Sequence, residues 1–164
     1  MKKLLLASAF ILAMPMAGFA ATLQFPSDAP IATIDIPDSW GPKETETGID
    51  ATSDDGAVYF SIDIAEATST DETTNIAIDF LTQNGVKIDP ATLKESPEIE
   101  VNGMKVSTLD YQGTDKDGPV DVSLGFAAPV GGKILVFTYW GSKDTQDAHS
   151  EEIVKMLSSL KPLK

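Results

Sequence analysis

Lys133-Ile-Leu-Val-Phe-Thr-Tyr-Trp-Gly141 is apolar on both of its alternating faces. Ile134, Val136 and Trp140 fall on one side, and Leu135, Phe137 and Tyr139 on the other. A strand with one wet face alternates apolar and polar residues, so a strand apolar on both faces is covered on both. The stretch therefore reads as a central strand of a sheet with a helix above and a helix below.

The flanking sequence supplies the rest of that sheet. Downstream, Thr145–Leu160 repeats apolar residues at helical spacing (Ile153, Met156, Leu157, Leu160), with Asp144 as the expected cap and Pro162 as the stop. Upstream, Thr92–Val101, Met104–Gln112 and Pro119–Ala128 read as strands. They are joined by Asn102-Gly103 and Asp117-Gly118, and Gly131-Gly132 leads into the central strand; each pair tolerates positive φ. Pro97 marks an edge or a bulge in the first of these strands. Val120, Val122, Leu124 and Phe126 make one apolar face.

Further back, Ser69-x-x-Glu72 forms a capping box before a helix. Its expected buried stripe is Ile76, Ala77, Phe80 and Leu81, and Gly85 is its stop. Asp54-Asp55-Gly56 turns a hairpin between Gly48–Ser53 and Ala57–Glu66. Thr22–Phe25 and Ile31–Ile36 are the first strands, the second stopped by Pro37-Asp38-Ser39-Trp40-Gly41-Pro42. The expected fold is α+β, an antiparallel sheet of about six to eight strands with one helix on each face.

Residues 1–20 read as a secretory signal peptide: Lys2 and Lys3, an apolar run from Leu4 to Met14, then Pro15 and the small residues Gly18 and Ala20. Cleavage is expected after Ala20, which leaves residues 21–164 as a single domain, periplasmic or secreted, with no membrane insertion. A domain of this size buries a sufficient core without staples. The chain has no cysteine, so no disulfide framework supports it. Its formal net charge is −13, and Lys2 and Lys3 belong to the removed segment. Every Lys+Arg position is a lysine. Without the bidentate guanidinium fork and with so negative a field, nucleic acid is excluded as a partner.

The element order resembles the PsbP-like superfamily, the α/β/α sandwich of a photosystem II extrinsic subunit, a Ran-binding factor of the Mog type and many small exported bacterial proteins. The features that carry the resemblance are Ile36-Pro-Asp-Ser-Trp40 after a long strand and the Asp55-Gly56 hairpin. The Ser69–Gly85 helix, the meander with Asn102-Gly103 and Gly131-Gly132, and the final strand–helix pair complete it. The resemblance implies this fold and an accessory or binding role. It transfers no site residue.

Chemistry-bearing residues are sparse. His149 is the one histidine, so any small-hydrolase mechanism must use it, and no Gly-x-Ser-x-Gly elbow accompanies it. The same residue reads more simply as a packed helix histidine. His149-x-x-Glu152 offers two ligands from one helix face, too few for zinc without a second cluster. Asp115-Lys-Asp117-Gly118 has the rhythm of part of a calcium loop, but position 5 falls on Pro119 and no glutamate closes it. Calcium at Asp115 and Asp117 stays an alternative to plain turn geometry. Three aromatics are the ligand-binding candidates: Trp40, which also reads as a lid over the core, and Tyr139 and Trp140 at the end of the central strand. The leading expectation is an exported, non-catalytic binding or accessory protein. The alternatives are a small hydrolase using His149 and a calcium-responsive module.

Overall fold

A computed structural model describes residues 20–65, 69–128 and 133–163. In chain order the elements are β1 (Ala20–Phe25), β2 (Ala32–Pro37), β3 (Lys43–Glu44), β4 (Gly48–Thr52), β5 (Val58–Ala65) and α1 (Thr70–Gln83). They continue with β6 (Lys87–Glu95), β7 (Ile99–Val101), β8 (Met104–Thr114), β9 (Pro119–Ala128), β10 (Ile134–Ser142), α2 (Ser150–Ser159) and β11 (Lys161–Pro162). Residues 1–19, which carry most of the expected signal peptide, lie outside the described residues, as does the Gly131-Gly132 turn. Among the described residues no helix is long and apolar enough to cross a membrane.

The main sheet has eight strands in the order β3-β4-β5-β10-β9-β8-β6, with β7 also paired to β8. The doubly apolar strand, β10, lies between β5 and β9 and is antiparallel to both. Its two faces enter two separate cores. Val136 packs with Ala77, Leu81, Val86, Val120, Val122, Leu124 and Phe126, beneath α1. Leu135 and Phe137 pack with Phe60, Ile62, Ile34, Ile36, Trp40 and Met156, on the side of α2.

On that second side the cover is more than a helix. β1, β2 and β11 form a three-stranded sheet whose inward residues Phe25, Ala32, Ile34 and Ile36 are fully buried. β2 is its middle strand, flanked by the first and last strands of the described chain. A two-residue strand such as Lys161-Pro162 carries no period, so pattern alone does not reveal it.

Turn and cap chemistry behaves as its residue types dictate. Ser69 caps α1 by accepting the Glu72 amide at 3.2 Å, and Gly85 follows the helix at φ +82°. Asn102 and Gly103 both take positive φ, which a two-residue turn matched to strand twist requires. The Asn102 side-chain amide also donates to the carbonyls of Ser158 and Leu160, so the same residue satisfies the end of α2.

Three expectations need correction. Ile76 is 56% exposed, and the buried positions of α1 are Thr73, Ala77 and Leu81, because the inward stripe runs through every fourth residue from Thr73. The expected strand Thr92–Val101 is two: β6 begins at Lys87 and slips register between Asp89 and Lys94, around Pro90, and Pro97 separates it from β7. A sheet edge tolerates both prolines because it leaves one row of amides unpaired. Finally, no Asp144 cap forms. Gln146–His149 makes a 3-10 turn without a side-chain cap, and α2 starts at Ser150.

Candidate functional site

The two cores differ in closure. Past the small sheet, α2 crosses the main sheet and leaves a groove along its flank. One part is a cavity of about 280 Å³ floored by Phe60, Val106, Gly125 and Phe137 and walled by Ile153, Val154 and Leu157. A second part, about 480 Å³, is bounded by Lys94, Asp110, Asp121, Gln146 and Asp147. Ser123, Tyr139 and Ser150 line both, so the parts adjoin. An apolar hollow with a few converging polar groups is the usual form of a small-molecule seat.

Strand alternation builds this asymmetry. On β9, Asp121, Ser123 and Gly125 are interleaved with Val120, Val122 and Leu124, which are buried in the α1-side core. Gly125 is what opens the floor: a Cβ there would lie 2.8 Å from the Phe137 ring. Gly141 clears similar space, since a Cβ would lie 2.8 Å from both the Tyr139 hydroxyl and Gln146.

The polar part is wired in two chains. The Tyr139 hydroxyl donates to the Gln146 carbonyl oxygen, and the Gln146 amide donates to Asp121. Ser123 and Ser96 both donate to Asp110, Ser96 at 3.1 Å. Burial, reinforced by Asp121 and Asp147, pushes the Tyr139 phenol up to about 12, so it stays neutral at physiological pH. Gln146, Asp121, Asp110 and Ser123 were not candidates from sequence. For Asp121 and Ser123 the signal is the polar half of β9, whose meaning depends on which face α1 covers; Asp110 on β8 and Gln146 in the turn before α2 lie outside that pattern.

His149 sits elsewhere, under the β4–β5 hairpin. It is 8% exposed, and both ring nitrogens meet carboxylates. Nδ1 is 2.8 Å from Glu152, and Nε2 is 3.1 Å from both oxygens of Asp55. Glu152 first, and Asp55 after it, raise the imidazole's pKa against the opposing pull of burial. The Asp55 carboxyl is held well below its ordinary range by the Ala57 amide, the Ser53 hydroxyl and then His149. The Ser53 hydroxyl donates to Asp55 at 2.7 Å, not to the ring, so serine and histidine are both bound to the carboxylate between them. A nucleophile–base pair needs the hydroxyl on the imidazole. This arrangement instead suits an imidazolium clamp between hairpin and helix. Asp54, Asp55 and His149 are also the described side chains whose ligand atoms, all within 4.8 Å of one another, come close enough to hold a metal ion. No second cluster accompanies His149 along the chain; the hairpin brings one to it.

The three aromatic candidates are not brought together. Trp40 ends a 3-10 turn, is 2% exposed, meets His149 edge-on at 5.5 Å and donates its indole N–H to Glu152 at 3.3 Å. Trp140 lies on the α1 side, stacked on Tyr59 at 4.0 Å. Tyr139 alone lines the groove. Asp115 accepts the amides of Asp117 and Gly118 at 2.8 and 3.0 Å, as a turn-forming aspartate does, and Asp117 pairs with Lys116.

The sequence matches neither a family model nor a curated protein. Among solved structures, the chain is similar to the cyanobacterial PsbP protein (CyanoP) of Synechocystis sp. PCC 6803, at TM-score 0.61 and 14% identity over 96% of this chain and 99% of that one. It is also similar to LpqN of Mycobacterium tuberculosis, a protein involved in cell envelope biogenesis, at TM-score 0.51 and 12% identity over 88% and 91% of the two chains. A Bacteroides thetaiotaomicron protein gives TM-score 0.53 and 10% identity over 81% of this chain and 45% of that one. Two helices on a mainly antiparallel sheet, in this order and over nearly the full length of the cyanobacterial protein, make this a PsbP-like fold.

Proposed function

We propose that the chain is an exported, non-catalytic binding or accessory protein whose ligand seat is the groove beside α2. The observation that carries the reading is the junction of an apolar hollow with a hydrogen-bonding one at Tyr139. Such a seat selects a small molecule with an apolar body and a polar end. The signal-peptide pattern of residues 1–20 supports export, and the resemblance to the PsbP-like superfamily implies an accessory or binding role.

The test is titration of the neutral, environment-sensitive dye Nile red against the protein and against Val154→Trp. Val154 is 62% exposed and lines the apolar part, so the larger side chain fills the groove without entering the core. Saturable fluorescence with the native protein, weakened at least tenfold by Val154→Trp, is expected. Equal binding by the two proteins, or none by either, overturns the reading.

A further inference from the structure

The groove's two ends carry different charge, and that narrows the ligand. The polar part holds three carboxylates, Asp110, Asp121 and Asp147, against the single ammonium of Lys94. Three of its donors are already engaged inward: Tyr139 on Gln146, Gln146 on Asp121, and Ser123 on Asp110. Carboxylates accept several bonds each, so these aspartates keep acceptor capacity beyond those bonds. An anionic head placed there would face like charge with no guanidinium to bind it. A cationic head would meet the carboxylates and, at the junction, the face of Tyr139, which also attracts cations. The field of a chain with net charge −13 draws cations toward the same opening.

We infer that the groove takes an amphipathic cation, an amine or quaternary ammonium on a hydrocarbon body, with the apolar part beneath α2 and the charged head between Tyr139 and the aspartates of β8 and β9. The inference rests on the groove being the ligand seat.

The experiment displaces Nile red with three probes of one chain length, octyltrimethylammonium, octyl glucoside and octyl sulfate, each below its micelle concentration. The ammonium probe is expected to displace dye at a concentration at least about tenfold below the sulfate, with the neutral probe between them. Added salt should narrow that gap. The double variant Asp110→Asn, Asp121→Asn keeps the side-chain shape and should erase the preference while the neutral probe still displaces. Val154→Trp separates groove binding from attraction to the acidic surface: it should weaken all three probes together. Equal displacement by the three probes, or preference for the sulfate, overturns the cation inference and leaves the groove reading standing. Ammonium binding that Val154→Trp leaves undiminished overturns the inference as well, because the cation then binds outside the groove. If neither Nile red nor any probe binds the native protein, the groove reading fails and the inference fails with it.

Discussion

On its α1 side β9 presents Val120, Val122, Leu124 and Phe126 in succession; on its other side the same strand presents Asp121, Ser123, Gly125 and Ala127. The first set is buried under α1 in a continuous apolar core. The second grades from charged to small, and α2 stands over it without filling the space. Both faces sit under helices, so the presence of a helical cover does not by itself make a core. What decides closure is whether the strand beneath offers volume. Where β2 brings Ile34 and Ile36 to the sheet the second face seals; where β9 offers a glycine it stays open.

The largest effect should separate those faces directly. Leu81, on the inward face of α1, is fully buried, and Leu81→Ala should cost about 2–5 kcal/mol by denaturant unfolding. Leu157, half-buried on the groove wall, should lose less than half as much on the same truncation, because water already reaches its site. Equal losses would mean that the groove is core and the contrast is false.

A second, smaller effect concerns pH and the clamp that fixes α2 to the hairpin. The fold holds the His149 proton more tightly than the unfolded chain does. Its contribution is therefore full below the unfolded value of about 6.5 and is lost as pH rises through the folded value. Asp55 runs the opposite way: its depressed carboxyl contributes fully above about 3.9 and loses that as pH falls through its folded value. The stability difference between the native protein and His149→Gln should be greatest between about pH 4 and 6.5 and shrink toward pH 9. A flat difference across that range would show that the ring acts by packing on Trp40 alone.

The smallest effect tests the floor. Gly125→Ala forces the Phe137 ring to yield and should cost about 1–3 kcal/mol. It should also lower Nile red affinity, since that ring forms part of the groove floor. Unchanged affinity beside lost stability would place the hollow elsewhere along α2.

How much of this was legible in the chain varies with range. The two apolar faces of β10, the capping box at Ser69 and the Asn102-Gly103 turn rest on residues a few positions apart, and local sterics fix them. The pairing of Asp55 with His149 spans 94 residues, and nothing near either one announces it. The small sheet needs Lys161 beside Thr33, another contact without a local period. The groove lay between these cases. Part of its lining, Asp121, Ser123 and Gly125, was visible as the polar half of an alternating strand, but that half could equally have faced open water. Only the position of α2 over Ser123 and Gly125 makes it a hollow.

The placement of β11 against β2 also has a temporal consequence. A ribosome makes the chain from its N-terminus, so β1, β2 and the meander are synthesised before Lys161 and Pro162. The buried residues of the α1-side core run from Ala77 to Val136 and need neither, whereas the opposite core needs Met156 and Leu160. The α1 side can thus be completed from an earlier stretch of chain than the α2 side.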